Sequence, residues 1–366
     1  MKFIIPRLEL VALIGKVQAI VPVKPTPPIL GHILIEAKEG QIVISATDLT
    51  TSIRVFAKAQ VDEEGSLALP AKKFFQLVRE VTAPFIEISS TSSDGALVNA
   101  GTSHFKLSGM NKLEFPKFPD FSEGKQFSIS NKILKEMLSR SSFAAARDDN
   151  RQVLNGVLFQ NSAKAATFVG TDGKRLAKLR TVITQDEGAE GSYILPLKAV
   201  EEIIKLLDKE EESSSLTLMS DKISIELDSL TLISKLLFGK YPDVERVIPQ
   251  KSGDPILLHR EELISLLRQI ALFIPDNASA VRFKFGPGEL SLSAMNTDIG
   301  EGKVSMAVNY TGAELQVAFN PHSFIDVLRH SKDETVQLTL TDSFNPGLIT
   351  DSTDAEFVVM PMRLDA

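Results

Sequence analysis

Three copies of one pattern, spaced about 120 to 125 residues apart, run along this chain of 366 residues. Each copy contains an apolar helix entry, and the three entries read LPAKKFFQLVREV, LPLKAVEEIIKLL and FNPHSFIDVLRHS. Each copy also contains a Thr-Asp pair at the end of a strand, at positions 47–48, 171–172 and 297–298. Two landmarks that keep the same offset three times predict three copies of one domain-sized unit, each long enough for its own core.

The periodicity within each copy predicts an α+β domain. Apolar residues at helical spacing predict six helices, over residues 7–24, 70–82, 131–147, 196–208, 259–273 and 319–332. Alternating segments such as HILIEA and QIVISA predict roughly eight strands per copy. Polar residues and glycine interrupt the pattern near Gly124 and Ser252, so we predict domains over 1–125, 126–252 and 253–366. We expect each domain to pack two helices on one face of an antiparallel sheet.

The motifs by which most enzyme and metal sites are recognised are missing from the sequence. There are no cysteines, and the five histidines show no metal-ligand spacing. There is neither a phosphate-binding loop nor a nucleophile elbow, so we predict no catalytic site, no metal and no cofactor. One alternative is a nucleotide-using hydrolase built around Asp172, Lys174 and Arg175, although this cluster also reads as a turn. No apolar stretch reaches the roughly 18 residues of a membrane span, so we expect a cytoplasmic protein.

The charge is distributed unevenly. The chain has a net charge of −7, but the six predicted helical segments hold 16 basic and 9 acidic residues, which leaves −14 for the remainder. Relatively basic helices fit a polyanion that is contacted through its phosphates without reading sequence. A solvated surface is the alternative interpretation of the same lysines. The predicted DNA-facing residues are Lys24, Lys72, Lys73, Lys132, Lys135, Arg140, Arg147 and Lys198.

Several segments together resemble a known family. They are the N-terminal MKF, KPTPPILG, LPAKKFF, VLNGVLF, GTDGKRLA, YPDVERVIP and the terminal VVMPMRL. In order and spacing they resemble, over the whole chain, the bacterial DNA polymerase III beta subunit, the sliding clamp of the replicative polymerase. The resemblance implies a non-catalytic processivity factor.

The family's architecture implies three DNA-clamp domains per chain and two chains that close into a six-domain ring. Helices would line the inside of this ring and antiparallel sheets would form its outside. The homodimer would encircle duplex DNA without sequence specificity, and domain three of one chain would meet domain one of the other. By resemblance, the predicted interface residues are Phe105, Leu107, Leu272, Phe273, Asp298 and Glu301.

The resemblance also implies a hydrophobic pocket for short peptides between domains two and three. Its partners would be the polymerase catalytic subunit, the clamp loader, other polymerases and repair proteins. The matching residues are Arg151, Leu154, Thr171, Gly173, Lys174, Arg175, Leu176, Pro242, Arg246, Val247, Asn320, Ser323, Phe344, Val358, Met360, Pro361, Met362 and Arg363. Ser323, Phe344 and the extension Asp365-Ala366 depart from the family pattern, which implies an altered partner preference.

A third interpretation is a monomeric scaffold or adhesion protein made of β-rich repeats. It predicts a solution mass near the 40.0 kDa of one chain, whereas the clamp interpretation predicts about twice that mass.

Overall fold

The computed structural model describes residues 1–121, 123–183, 190–209, 211–250, 254–274 and 280–363. All six predicted helices are present, four of them within two residues of their predicted ends, whereas the first and the third end six and five residues earlier than predicted. They are α1 (Arg7–Gln18), α2 (Ala71–Glu80), α3 (Asn131–Ser142), α4 (Leu197–Leu206), α5 (Arg260–Ala271) and α6 (Pro321–His330).

The strands follow the same three-fold pattern. The first repeat contains β1 (Lys2–Pro6), β2 (His32–Lys38), β3 (Gln41–Thr47), β4 (Thr51–Lys58), β5 (Gln60–Glu63), β6 (Gly65–Pro70), β7 (Phe85–Ser90), β8 (Gly95–Ala100) and β9 (Ser103–Ser108). The second contains β10 (Lys125–Ser130), β11 (Gly156–Ser162), β12 (Ala165–Thr171), β13 (Arg175–Val182), β14 (Gly191–Pro196), β15 (Ser213–Leu218), β16 (Lys222–Leu227) and β17 (Leu230–Lys235). The third contains β18 (Ile256–His259), β19 (Val281–Gly286), β20 (Glu289–Asn296), β21 (Gly300–Ala307), β22 (Leu315–Phe319), β23 (Thr335–Thr339), β24 (Gly347–Thr350) and β25 (Ala355–Val359).

Burial explains why these segments take the structures they do. In α1 the buried side chains are Leu10, Leu13, Ile14 and Val17, which fall on one helical face. In β2 buried and more exposed residues alternate, so that one face of the strand lies in the core, whereas β3 is buried on both faces from Ile44 to Thr47. Helix α6 begins at Pro321 after an Asn320 cap, whose side-chain oxygen accepts hydrogen bonds from the first turn.

The strands form four antiparallel sheets. Their orders are β5-β1-β7-β8-β9, then β10-β15-β16-β17-β4-β3-β2-β6, then β14-β11-β12-β13-β25-β24-β23-β18, and β21-β20-β19-β22. Pairing of β17 with β4 continues a sheet from the second repeat into the first, and pairing of β13 with β25 continues one from the second into the third. Two of the sheets therefore extend beyond a single repeat, because strands of neighbouring repeats hydrogen-bond to each other.

By its internal contacts the chain divides into two compact units, which cut through the second repeat. Unit 1 comprises Met1–Lys132 and Lys205–Leu236, and unit 2 comprises Ile133–Ile204 and Leu237–Ala366. In unit 1, α1 packs against α2 and against β3 and β4, and in unit 2, α5 packs against α6 and against β20 and β21. Of the two predicted boundary residues, Gly124 precedes β10, whereas Ser252 lies outside the described residues. The domain limits stay a prediction.

Candidate functional site

The turn between β12 and β13 forms one wall of the candidate site. The carboxylate of Asp172 accepts hydrogen bonds from the backbone N–H groups of Lys174 and Arg175, at 2.8 and 2.9 Å. The Thr171 hydroxyl donates to the Arg175 carbonyl and accepts from Gly173 N–H. Gly173 has a φ of 84°, a left-handed conformation that favours glycine.

The equivalent turn in the first repeat has the same construction. Asp48 accepts from the N–H groups of Thr50 and Thr51, and Leu49 takes the left-handed conformation with a φ of 72°. In the third repeat the acceptor is Asn296 rather than the Asp298 of the Thr-Asp pair. The Asp of the first two repeats is thus explained by the geometry of the turn. The hydrolase interpretation makes Asp172 catalytic, but its carboxylate is engaged by the N–H groups of this turn and by the Arg175 guanidinium.

Beside this turn, unit 2 contains an apolar cavity with an empty volume of about 560 Å³ up to its open mouth. Leu154, Leu176, Val244 and Val358 form its floor, and each is buried in the hydrophobic core. Val247 and Met360 line the cavity near its mouth and are 42% and 36% exposed. Exposed apolar side chains above a rigid floor are typical of a site that receives apolar side chains of a ligand.

Two arginines line the polar part of the cavity. Arg151 makes a bidentate ion pair with Asp149, at 3.0 and 2.9 Å, and this pair lowers the pKa of Asp149 to about 2. Arg175 donates to Asp326 on α6 at 2.6 Å and to Asp172 at 3.2 Å. The carboxylates hold both guanidinium groups in place, which gives the cavity a fixed polar wall.

Ten of the eighteen predicted pocket residues line this cavity. They are Arg151, Leu154, Thr171, Gly173, Arg175, Leu176, Pro242, Val247, Val358 and Met360. Asp243 and Val244 also line it and were missed, although they lie within the YPDVERVIP segment that was singled out. Val244 begins a short 3-10 turn, Val244–Arg246, and this turn directs its side chain into the core.

The other eight predicted residues do not line the cavity. Lys174 lies in the adjacent turn, and Arg246 pairs with Asp243 at 2.7 Å. Asn320 caps the N-terminus of α6, and Ser323 lies in the first turn of that helix. Phe344 is 87% exposed on the loop between β23 and β24. Pro361, Met362 and Arg363 continue the chain beyond β25, where the N–H of Met362 donates to the Ala318 carbonyl at 2.8 Å. Asp365-Ala366 lies outside the described residues.

Most of the predicted DNA-facing residues lie on helices and are exposed. Lys72 and Lys73 lie in the first turn of α2, Lys132 in α3 and Lys198 in α4, whereas Lys24 follows α1. Lys135 on α3 is half-buried. Arg147 is exposed and donates to Glu201 at 2.7 Å.

Arg140 corrects the prediction, because it is a buried structural residue. Its guanidinium pairs with Asp351, and the two side chains are 6% and 0% exposed. It also donates to the His330 carbonyl at 2.7 Å and to the Thr353 hydroxyl at 3.1 Å. A side chain enclosed in this way cannot reach phosphate, so Arg140 is removed from the DNA-facing set.

The predicted interface residues lie on or beside two terminal strands. Phe105 and Leu107 belong to β9, the last strand of its sheet, and Glu301 belongs to β21, the first strand of another. Asp298 lies in the exposed turn before β21, while Leu272 and Phe273 follow α5. Leu272 is 74% exposed and Phe105 is 36% exposed. Within the described part of the chain, β9 and β21 each keep one side without a strand partner.

No group of three or more acidic or histidine side chains among the described residues is arranged to hold a metal ion. None of the described helices combines the length and apolar character needed to cross a membrane.

Three family models match the chain in succession. They are the DNA polymerase III beta subunit N-terminal domain over residues 1–119, the central domain over 128–243 and the C-terminal domain over 245–363. The three matches confirm the predicted α+β chain of three clamp domains.

Individual proteins agree with these matches. The chain is 50% identical to the beta sliding clamp of Chlamydia pneumoniae over 364 residues, which cover 100% of this chain and 99% of that one. It is 32% identical to the beta sliding clamp of Escherichia coli K12, with both chains covered completely. Its fold superposes on the crystal structure of the DNA polymerase III subunit beta from Pseudomonas aeruginosa with a TM-score of 0.94, at 29% identity and with both chains fully covered. The chain therefore belongs to the family of the DNA polymerase III beta subunit, the non-catalytic sliding clamp that makes the replicative polymerase processive.

Proposed function

We propose that two copies of this chain close into a six-domain ring in the cytoplasm, which encircles duplex DNA and slides along it. The cavity beside the turn at Thr171–Leu176, here called the partner pocket, binds short peptides of the polymerase catalytic subunit, the clamp loader, and other polymerases and repair proteins. The observation that carries this proposal is the partner pocket itself, an apolar cavity lined by ten residues that the family resemblance selected.

The partner pocket suits a peptide with two apolar side chains. Burial of one leucine or phenylalanine contributes roughly 1.5–3 kcal/mol before the peptide is ordered. The net affinity of a single peptide is then micromolar or weaker, which allows partners to exchange. The thioether of Met360 can repack around different side chains, which suits several partners.

Two terminal strands support ring closure. Among the described strands, β9 and β21 each have one edge without a partner, and a terminal strand of one copy can pair with that of another. Contact between unlike surfaces of two copies closes after two chains when the rotation allows it. Phe105 and Leu107 on β9 would then meet Leu272 and Phe273 of the other copy.

A closed ring solves a kinetic problem that simple DNA binding leaves open. Non-specific binding with a Kd of about 10⁻⁵ M and an association rate of about 10⁷ M⁻¹s⁻¹ gives dissociation at roughly 100 s⁻¹. Such a protein leaves DNA in about ten milliseconds. A ring stays on DNA until its interface opens, so the exposed lysines of α2, α3 and α4 need only weak phosphate contacts.

The proposal is tested by loading the labelled chain onto nicked circular DNA with a bacterial clamp loader and ATP. Half of the sample is then linearised, and retention on the two forms is compared. Retention on circles with loss from linear DNA is expected. Equal retention on both forms would show ordinary binding and refute encirclement.

The partner pocket is tested separately with a fluorescent peptide of the sequence glutamine-leucine-serine-leucine-phenylalanine. Val247→Ala with Met360→Ala removes apolar surface at the mouth and is expected to weaken binding at least about tenfold. Val182→Ala is the matched control, since Val182 is 80% exposed and does not line the cavity. Equal affinity of the double variant and the control would move the peptide site elsewhere.

A further inference from the structure

Unit 1 contains a second cavity at the position that corresponds, in the first repeat, to the partner pocket of the second repeat. Its empty volume is about 700 Å³ up to the mouth. Thr47 and Ser52 line this cavity, and the equivalent residues of the second repeat, Thr171 and Leu176, line the partner pocket. We call it the Arg54 cavity. Arg54 lies on β4 opposite Ser45 of β3, just as Lys178 lies on β13 opposite Val169 of β12. Arg54 and Lys178 are therefore equivalent residues of the two repeats.

The two cations differ in their counter-ions. Lys178 pairs with Glu245 at 2.8 Å and with Glu356 at 3.2 Å, and Glu356 lies opposite it on β25. On the strand next to Arg54, the residue opposite is Thr231 of β17. The position that supplies a carboxylate to Lys178 thus supplies a threonine to Arg54.

Arg54 consequently lacks an acceptor within the described residues. Its Nε atom is buried there without a hydrogen-bond partner, and no carboxylate lies within ion-pairing distance of its guanidinium. The guanidinium instead stacks on the ring of Phe118, with 3.8 Å between its carbon and the ring centroid. A planar guanidinium held on an aromatic face keeps its N–H edge free for a planar acceptor.

The pKa values of Arg54 and Lys178 are shifted in opposite directions, in agreement with this difference in counter-ions. Burial lowers the pKa of Arg54, and the charge of Glu36 at the same cavity opposes this effect only in part. For Lys178, burial also acts to lower the pKa, but the hydrogen bonds to Glu245 and Glu356 outweigh it and the pKa is raised. A charge that is partly desolvated without a paired acceptor favours an anionic ligand.

The remaining walls define the rest of the ligand. Phe115 and Phe118 supply aromatic surface, and Lys117 adds a second, exposed cation. A carboxylate matches the fork of a guanidinium better than a spherical ion does. We propose that the Arg54 cavity binds a carboxylate that carries an apolar group, with the carboxylate on Arg54 and the apolar group against Phe115 and Phe118. A free small carboxylic acid and the C-terminal carboxylate of a peptide share this chemistry.

The test follows the Nε–H resonance of Arg54 in the full chain labelled with ¹⁵N-arginine, assigned with an Arg54→Lys variant. Phenylacetate is titrated first, and then acetyl-leucyl-phenylalanine as the free acid and as the amide. A saturable shift of this one resonance with phenylacetate is expected, and the other arginine resonances serve as internal controls. Stronger binding of the peptide acid than of phenylacetate would identify a peptide C-terminus as the source, and equal affinities would identify small carboxylates. No saturable shift with either acid, or equal shifts with the peptide amide, would overturn the proposal.

Four variants, one of them a control, test the physical reason. Thr231→Glu gives Arg54 the counter-ion that Glu356 gives Lys178, and it is expected to weaken phenylacetate binding at least about tenfold. Glu36→Gln removes a repulsive charge and is expected to strengthen binding about twofold to fivefold. Glu63→Gln is the control, since Glu63 does not line the cavity. If Thr231→Glu fails to fold, phenylacetate binding is measured in Glu36→Gln and Arg54→Met instead. Binding that is unchanged in both variants would overturn the proposal.

Discussion

Replacement of Arg140 by methionine is expected to destabilise unit 2 strongly. Methionine keeps much of the aliphatic volume of arginine but removes the charge, so it leaves Asp351 as a buried carboxylate without its cation. The Asp351 side chain is 0% exposed, and its pKa is lowered in the native protein. Burial by itself would raise that pKa, so hydrogen bonds from Thr353 and Lys332 and the charge of Arg140 stabilise the ionised form.

The magnitude follows from the loss of one partner of a buried pair, which costs about 3–5 kcal/mol. With a urea dependence of about 2 kcal/mol per M, the unfolding midpoint is expected to fall by roughly 1.5–2.5 M. Asp351→Asn keeps one acceptor oxygen, which serves either Lys332 or Thr353, but Arg140 retains Glu136 and the His330 carbonyl as partners, so this variant should destabilise less than Arg140→Met. The double variant is expected to be more stable than the sum of the two effects predicts, by about 1 kcal/mol or more.

The chain itself provides a reporter for this measurement. It has no tryptophan and three tyrosines, Tyr193, Tyr241 and Tyr310, all of which belong to unit 2. Tyrosine fluorescence therefore reports the urea-induced unfolding of unit 2 alone. The control is Arg268→Met, which removes an exposed cation of α5 from unit 2 and should change stability by less than about 0.5 kcal/mol. If Arg140→Met lowers the midpoint no more than this control does, the structural role of Arg140 is refuted.

Three further predictions concern other parts of the chain. Burial lowers the pKa of His330 below its ordinary value of 6.5, so its neutral form stabilises the fold above that value and protonation destabilises the fold as the pH falls. The difference in unfolding free energy between the wild type and His330→Gln should shrink from about pH 7.5 to about pH 5.5 in tyrosine-monitored unfolding, and a constant difference would contradict this. Gly170→Ala places a Cβ against the carbonyl oxygen of Ser141 on α3, so a loss of about 3 kcal/mol is expected by the same assay, and an unchanged midpoint would show that α3 can move away. Phe105→Asp should give the 40.0 kDa mass of one chain in light scattering. The control Leu113→Asp, at a site that is 84% exposed, should keep about twice that mass. A dimeric Phe105→Asp variant would show that β9 is not part of the interface.

The helices could be predicted from the sequence because their signal is local. In α1, Leu10, Leu13, Ile14 and Val17 recur at helical spacing within one short segment, and their burial follows from that spacing. The predicted ends of α1 and α3 extended too far, because apolar residues continue beyond Gln18 and Ser142 into turns. Periodicity reports the face of a helix but does not mark where its hydrogen bonds stop.

Ten of the predicted pocket residues line the cavity, and the difference at the other eight has a common cause. Residues within the quoted segments were found because motif and cavity coincide at the turn around Gly173 and at Val358 and Met360. Asn320 and Ser323 were included by resemblance, but they form the start of α6. Whether a side chain lines a cavity depends on which neighbours it meets, and these neighbours come from segments far apart in the chain.

The sequence by itself determined the three repeats, the six helices and the recurring turn at Asp48 and Asp172, because each of these depends on residues within a few positions of one another. The tertiary structure decided which strands join across repeats, which cations are neutralised and which remain without a carboxylate. Arg140 meets Asp351 only through a pairing of segments 211 residues apart, and Lys178 differs from Arg54 because Glu356 lies beside one strand and Thr231 beside the other. Burial and charge compensation are sums over neighbours in space, and folding brings these neighbours together from distant parts of the sequence.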